Sequence, residues 1–475
     1  MPSPNPLRAV IASALLASGL GACAALPATP PAQTLNTPTA YVSAISLAAP
    51  TADWPTDQWW IAYGDAQLNS LMDEALAGSP DLAAARARLA KAQAATAQAR
   101  AATLPSVAAN GSYASVKQSY NNGVPAAFVP KGYNDSGRAT LDFAWELDFF
   151  GKNRAALAAA TSDAEAAKAD AAEARLVLST NIAATYADLA QRFADRDASQ
   201  DAVRIRQQSA DLTAERAANG LENQGAVEQA KARLASARAD LAALDEQIGL
   251  TRNRLAALLG AGPDRGLAIA RPATLAIKAF GLPADLGADL IGRRPDVVAA
   301  RLRAQAAGQR IKQAKAQFYP DVNLSAYFGQ QALGLDLLTN AGSRIGSIGP
   351  AVRLPIFEGG RLRANYRGAA ADYDAAVASY NGTLAQALQD VADAAVSARA
   401  LDARLTQSRA ALDASTAAHA IAVQRYRGAL STYLDVLTAE DAMIANQQAV
   451  ADLETRAFTL DVALVRALGG GYRAA

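Results

Sequence analysis

Residues 80–107, PDLAAARARLAKAQAATAQARAATLPSV, return 215 positions later as residues 295–322, PDVVAARLRAQAAGQRIKQAKAQFYPDV. The shared positions include Pro80-Asp81 with Pro295-Asp296, Arg86 and Arg88 with Arg301 and Arg303, Gln98 with Gln313, and Pro105 with Pro320. Alanine bias does not produce matched prolines and arginines, so the chain is an internal duplication. A second stretch repeats at an offset of 209. Val227, Ala230, Leu234, Ala237, Leu241, Leu244, Ile248, Thr251, Leu255 and Leu258 alternate spacings of three and four. Val436, Ala439, Met443, Asn446, Val450, Leu453, Ala457, Leu460, Leu464 and Ala467 repeat them in register. Each set is a heptad seam of about five repeats, the pattern of a structural coiled coil. Gly260 and Gly469 follow the seams as helix stops.

The duplication alters what length and composition imply. A chain of 475 residues carries a soft prior of about three compact domains, whereas two similar halves make one elongated protomer. Alanine supplies 122 residues, about half of the 51% apolar content. It buries little surface and is the best helix former, which suits long helices laid close together rather than one thick core. Lys152 to Asn219 contains no proline, and a helix of that length is on the order of 100 Å. Arg361 to Arg427 is its proline-free counterpart. The shorter helical stretches, about Pro80 to Thr103 and Gly225 to Leu259, nearly match the long one when placed end to end. Ala261 to Arg294, with Pro263, Pro272 and Pro283, breaks the periodicity and reads as a small mixed region between the halves.

Each half interrupts its helices with two strand-like segments: about 105–116 and 138–150 in the first, about 320–330 and 345–357 in the second. In RATLDFAWELDFF, Leu141, Phe143, Trp145 and Leu147 share one face, with Asp142, Ala144, Glu146 and Asp148 on the other. That alternation and length fit the apolar-out, polar-in strands of a transmembrane barrel, and fit a soluble hairpin as well. Four strands cannot close around a pore, and open edges in lipid leave backbone groups unsatisfied. Strands that cross a membrane here must therefore be completed by further copies.

Residues 9–22, AVIASALLASGLGA, form an uncharged run after Arg8 and end at Cys23, the only cysteine. The run suits a signal-peptide core. Leu20-Gly21-Ala22-Cys23 resembles a bacterial lipobox, which makes Cys23 a lipid-attachment site, and Ala24 after it implies the outer membrane. The stretch to about Pro55 is Pro/Thr/Ala-rich, like a tether.

Charge and chemistry exclude other classes. Lys+Arg 45 against Asp+Glu 44 gives a net charge of +1, which removes the electrostatic case for nucleic acid. One His, one Cys and three Met argue against side-chain metal sites, disulfide frameworks and Cys/His catalysis, so neither a cofactor nor an enzyme is expected. No GxxxxGK[ST] or HExxH motif occurs; His419 reads as a routine polar-face residue and Gly469-Gly470-Gly471 as a helix cap.

In order, YGDAQLNSLMDEAL and SPDLAAARARLAKA (within 63–92), WELDFFGKNR (145–154), RRPDVVAARLRA (293–304), LPIFEGGR (354–361), YLDVLTAE (433–440) and RALGGGY (466–472) resemble the outer-membrane factor family, the TolC/OprM-like exit ducts, and its NodT-type lipoprotein branch. The resemblance spans essentially the whole mature chain. It implies a mainly α fold with a membrane β-barrel. Duplicated helix-strand-strand-helix halves would form a homotrimeric 12-stranded β-barrel, continued by a long α-helical coiled-coil tunnel across the periplasm. It also implies docking to a periplasmic adaptor and an inner-membrane pump, commonly of the resistance-nodulation-division type. The domain plan is then 1–22 signal peptide, 23–58 lipid-anchored tether, 59–260 first repeat, 261–294 mid-tunnel connection, 295–469 second repeat and 470–475 tail.

The same resemblance places Asp435 on the family's periplasmic gate aspartate and Tyr426 on a constriction tyrosine. By itself Asp435 reads as a solvated helix-cap carboxylate. Thr438 stands where such members carry another acid, and the first-half counterpart of Asp435 is Ala226, so Glu228, Glu440 or Asp441 are further gate candidates. The tip turns, with Asn219, Gly220 and Leu221 in one and Gly428, Ala429 and Leu430 in the other, are the expected adaptor contacts. The implied function is passive conduction of small toxic compounds to the exterior. The alternatives are a duct for type I protein secretion and a lipid-anchored periplasmic coiled-coil adaptor or spacer without a pore.

Overall fold

The computed structural model describes residues 32–41, 45–273, 280–284 and 286–474; Cys23 and the signal-peptide run lie outside them. The elements in order are α1 (Ala66–Gly78), α2 (Pro80–Ala101), β1 (Ser106–Val116), β2 (Asn134–Leu147), α3 (Lys152–Ala218), α4 (Gln224–Leu258), α5 (Pro263–Leu267), α6 (Leu286–Arg293), α7 (Pro295–Ala316), β3 (Asp321–Leu333), β4 (Arg344–Arg353), α8 (Arg361–Arg427) and α9 (Tyr433–Ala467). Both proline-free runs are continuous helices of 67 residues, and both seam helices have 35. No described helix is long and apolar enough to cross a membrane.

Two compact units emerge, and neither is a repeat. One takes Leu89–Ala167 and Ala300–Tyr380 with the described residues before Asn36; the other takes Asn36–Arg88, Lys168–Ala299 and Asn381–Ala475. Each unit thus collects matching pieces of both halves.

The first unit holds one four-stranded sheet in the order β1-β2-β3-β4, antiparallel throughout. Register pairs Val107 with Phe143, Leu141 with Phe328, and Ala326 with Ile348, so these side chains share one face across all four strands. Leu141, Phe328 and Ile348 are exposed on it. The other face is polar: Asn110 and Thr140 donate to Asp142 at 2.7 and 2.8 Å, and the Arg138 guanidinium lies 5.1 Å from the Tyr327 ring centre. Lys152 at the start of α3 joins Glu146 of β2 (2.5 Å) to Asp321 of β3 (3.0 Å), which clasps the two hairpins at their helical ends.

Four strand limits differ from expectation by more than one residue. β2 starts at Asn134 because β1 is paired along its full length, Val116 against Asn134, so the backbone groups of residues 134–137 bond in the sheet. It stops before Asp148, whose carboxylate turns back to accept the Arg154 N–H at 2.8 Å. β4 ends at Arg353, before Pro355, which lacks the N–H a ladder needs. β3 runs three residues further than its expected limit, to Leu333, paired with Ser136.

The second unit is built around α1, a helix hidden inside the YGDAQLNSLMDEAL motif. Asp65 caps it by accepting the Leu68 N–H at 2.9 Å. Its fully buried Leu68, Leu71 and Met72 meet Trp59, Trp60 and Tyr63, Ile182, Tyr186 and Leu189 of α3, Leu255 of α4, and Phe458 and Val462 of α9. Each such side chain contributes roughly 1.5–3 kcal/mol on burial. The same Asp65 accepts the Tyr186 hydroxyl at 2.8 Å, and Asp461 accepts the Tyr63 hydroxyl at 2.6 Å. Every predicted seam position of α4 and α9 is buried or half-buried. The mixed region between the halves contains α5, α6 and a parallel bridge between Thr51 and Leu282.

A charged knot closes this unit. Arg294 donates to Asp296 (2.6 and 3.0 Å), to Asp390 of α8 (2.8 Å) and to the Ala467 carbonyl of α9 (3.4 Å). Beside it, burial pushes the Glu173 carboxyl of α3 up to about 7, with the Asp296 charge adding to the effect.

Candidate gate at the hairpin tips

The two tip turns, residues 219–223 and 428–432, have one backbone design. The Gly220 and Leu221 N–H groups donate to the Ala217 and Arg216 carbonyls at 3.0 and 2.8 Å. The Ala429 and Leu430 N–H groups donate to Tyr426 and Arg425 at 3.0 and 2.8 Å, an offset of 209 throughout. Both caps need a left-handed residue: Gly220 has φ +71° and Ala429 +58°, the only non-glycine there among the described residues. Leu221 and Leu430 stand exposed beyond the caps.

The returning helices are capped differently. The Asn223 side chain accepts the Ala226 N–H at 3.0 Å. Thr432 instead donates its N–H and its hydroxyl to Asp435 at 2.8 and 2.9 Å. Those bonds hold the exposed Asp435 carboxyl below the ordinary carboxylate range. Asp435 is thus the cap that its position suggests, and its hydrogen bonds are local.

Tyr426 does more. Its side chain is buried, and its hydroxyl donates to Glu222 in the other tip turn at 2.9 Å. Arg216 of α3 covers the ring at 4.5 Å and donates to the Arg427 carbonyl at 3.3 Å, while Tyr433 lies 5.9 Å away. Burial raises the Tyr426 phenol, and its bond to Glu222 adds to that. Tyr433 is pushed up to about 12 by burial and the Glu440 charge. Around them Ala210, Ala226, Ala230, Leu234, Val436 and Leu437 form the apolar cluster that packs the first hairpin on the second.

Two turns into α9 sits a polar clasp. Glu440, 1% exposed, accepts the Ser209 hydroxyl at 2.6 Å and lies 3.5 Å from Arg206, both on α3. Asp441 accepts from Arg206 at 3.2 Å and from Arg233 of α4 at 3.0 Å. Glu228, by contrast, makes only an exposed pair with Lys231 at 2.8 Å. His419, expected on a polar face, is half-buried beside Ser209, Tyr426 and Tyr433. Burial lowers its pKa, and the nearby Glu440 charge opposes this.

The structure therefore joins Tyr426, Glu440 and Asp441 to the first hairpin and leaves Asp435 at the rim. Arg206, Ser209, Arg216, Glu222 and Arg233 were not singled out from the sequence. The available signal was divergence between the repeats, since the counterparts of Arg206 and Glu222 at offset 209 are Ser415 and Ser431. The arrangement can hold two hairpins together by buried hydrogen bonds and charge. Among the described residues no group of three or more His, Cys, Asp or Glu side chains is arranged to hold a metal ion.

The chain has relatives among known proteins. Residues 71–261 and 286–470 match the family model described as outer membrane efflux protein. The chain is 30% identical over 432 residues to the multidrug resistance outer membrane protein MdtP of Escherichia coli O6:H1, covering 90% of this chain and 88% of that one. It is 37% identical over 329 residues to the fusaric acid resistance protein FusA of Burkholderia cepacia, covering 68% of this chain and 61% of that one. The crystal structure of the outer membrane protein VceC from Vibrio cholerae superposes with a TM-score of 0.84 at 47% identity, covering 88% of this chain and all of that one.

Proposed function

Because the chain belongs to the outer membrane efflux protein family and acts in efflux at the outer membrane, we propose that three copies form the exit duct of a tripartite efflux system. One observation carries the reading. The sheet has a continuous apolar face and ends in two edge strands, β1 and β4, whose outer edges pair with nothing else among the described residues. Such edges cannot stand in lipid, so copies must close the barrel, with Leu141, Phe328 and Ile348 toward lipid and Asp142, Arg138 and Tyr327 toward the lumen. A lipid on Cys23 anchors the chain to the outer membrane, and the paired long helices extend into the periplasm as a tunnel.

In this reading Tyr426 and Asp435 narrow the periplasmic mouth. The exposed tips, Asn219, Gly220, Leu221, Gly428, Ala429 and Leu430, meet a periplasmic adaptor bound to an inner-membrane pump of the resistance-nodulation-division type. The cargo class is small toxic compounds, as the names of MdtP and FusA suggest, rather than a secreted protein. The test is the detergent-extracted full chain: a trimer that conducts ions in planar bilayers is expected, and a monomeric, non-conducting, correctly lipidated preparation overturns the proposal. For the gate, Asp435→Ala is expected to raise conductance or admit large antibiotics; unchanged values would remove Asp435 from the mechanism.

A further inference from the structure

The connection between β1 and β2, residues 117–133, lies at the end of the hairpin remote from α2 and α3. Its two limbs are fastened together. Val116 pairs with Asn134, the Tyr120 hydroxyl accepts the Gly132 N–H at 3.2 Å, and Asn134 Nδ2 donates to the Lys131 and Gly132 carbonyls at 3.3 and 3.4 Å. Val129 is buried beneath. Lys117 and Lys131 are therefore presented by adjoining limbs. No Asp or Glu occurs between Lys117 and Tyr133, in a chain whose charges otherwise balance. Neither lysine has an ion pair among the described residues. Phe128 and Tyr133 are 79% and 75% exposed beside them. The corresponding connection in the second half, residues 334–343, carries Asp336 and no lysine, so this chemistry is not a requirement of the fold.

The apolar sheet face runs up to this connection and ends in the exposed Tyr113, whose hydroxyl donates to Asp135 at 3.0 Å. Aromatic rings with a wet end and an apolar body mark the level where lipid meets water. Immediately beyond that level come two unpaired ammonium groups, which serve as point donors to phosphate. We propose that residues 117–133 are a docking surface for the phosphorylated glycolipid of the membrane's outer leaflet. Lys117 and Lys131 hold its phosphates, and Phe128 and Tyr133 enter the boundary between headgroup and acyl chains. The proposal rests on the outer-membrane barrel reading, which sets the connection on the exterior side.

The experiment titrates the delipidated, detergent-extracted full chain with bisphosphorylated lipid A and with phosphatidylethanolamine, and counts retained lipid by native mass spectrometry. The unaltered protein is expected to retain lipid A in preference. Two cations near an anionic surface are enough for the K117Q/K131Q variant to bind lipid A about tenfold more weakly, with phosphatidylethanolamine retention, trimer and conductance unchanged. Phe128→Ser is expected to weaken lipid A retention without touching charge, and inorganic phosphate at equal concentration should not displace the lipid. Equal retention by the double variant would overturn the proposal, as would displacement by inorganic phosphate. Loss of the trimer with lipid A binding intact would instead make the loop a contact between copies. An unaltered chain that neither trimerises nor conducts sinks the underlying duct reading; one that does both but shows no preference for lipid A sinks this inference alone.

Discussion

The tip hairpins α3–α4 and α8–α9 are the same turn carrying opposite chemistry. The cap hydrogen bonds of Gly220 and Leu221 and those of Ala429 and Leu430 have the same lengths, 3.0 and 2.8 Å, at an offset of 209, yet nearly every polar group between the hairpins exists in one copy only. Glu440 and Asp441 of α9 correspond to Lys231 and Ala232 of α4, while their partners Arg206, Ser209 and Arg233 correspond to Ser415, Ala418 and Ala442. Burial differs as well. Beyond its seam α4 buries only the small Ala226 and Ala256, whereas α9 also buries Tyr433, Leu437, Glu440 and Ile444. A duplicated backbone can pack on itself without specifying how. Acids on one copy and cations on the other allow only one register, because mispairing strands a buried charge.

The largest test of that asymmetry is Glu440→Ala, which leaves Arg206 and Ser209 facing an empty site. The expected loss is roughly 3 kcal/mol, against less than about 0.5 kcal/mol for Lys231→Ala at the exposed counterpart. Thermal dissociation midpoints of the two variants measure it, and equal values would break the comparison. Glu173 of α3, whose counterpart in α8 is Gly382, gives a pH-dependent version. Its carboxyl moves from an ordinary 4.5 to about 7, so the folded state favours the proton. That contribution is complete below pH 4.5 and is lost as pH rises through about 7. Glu173→Gln is expected to match the parent near pH 4 and exceed it near pH 8 by on the order of 2 kcal/mol, read from denaturation midpoints across that range. Gly382 offers no such group.

Smaller effects sharpen the turns. Tyr426→Phe removes the bond to Glu222, costs about 1 kcal/mol, and is expected to raise single-channel conductance. Replacing Ala217, its counterpart, by Ser should leave conductance unchanged. The smallest pair is Gly220→Ala, destabilising by about 0.5–1 kcal/mol, and Ala429→Gly, stabilising by a similar amount. Hydrogen exchange at Leu221 and Leu430 reports both; the same sign in both turns would show that the caps are not equivalent.

Local rules carried much of the fold. Helix limits at Lys152, Arg361 and Arg427 were legible, and those at Ala218 and Gln224 to within one residue, because proline, glycine and heptad spacing act over a few residues. The alternation in β2 correctly separated Leu141, Phe143 and Trp145 from Asp142 and Glu146. Helix α1, with Leu68, Leu71, Met72 and Ala75 at spacings of three and four behind its Asp65 cap, carried the same local signal and was overlooked inside the longer motif. At the candidate gate Tyr426 and the clasp acids Glu440 and Asp441 were visible, but their partners were not. Glu222 lies 204 residues from Tyr426, and Ser209 lies 231 from Glu440.

By itself, then, the amino-acid sequence determined that the chain is two copies of one plan, where the long helices run and turn, which strand faces are apolar, and that four strands leave edges to be completed. Those properties follow from backbone sterics and side-chain period, which need no knowledge of what lies opposite. Only the tertiary structure decided that Asp435 serves its own helix while Tyr426, Glu440 and Asp441 serve the neighbouring hairpin, and that Arg294 gathers α8 and α9 into one knot. Periodicity states which face of a helix is buried. It does not state which residue, two hundred positions away, will meet it there.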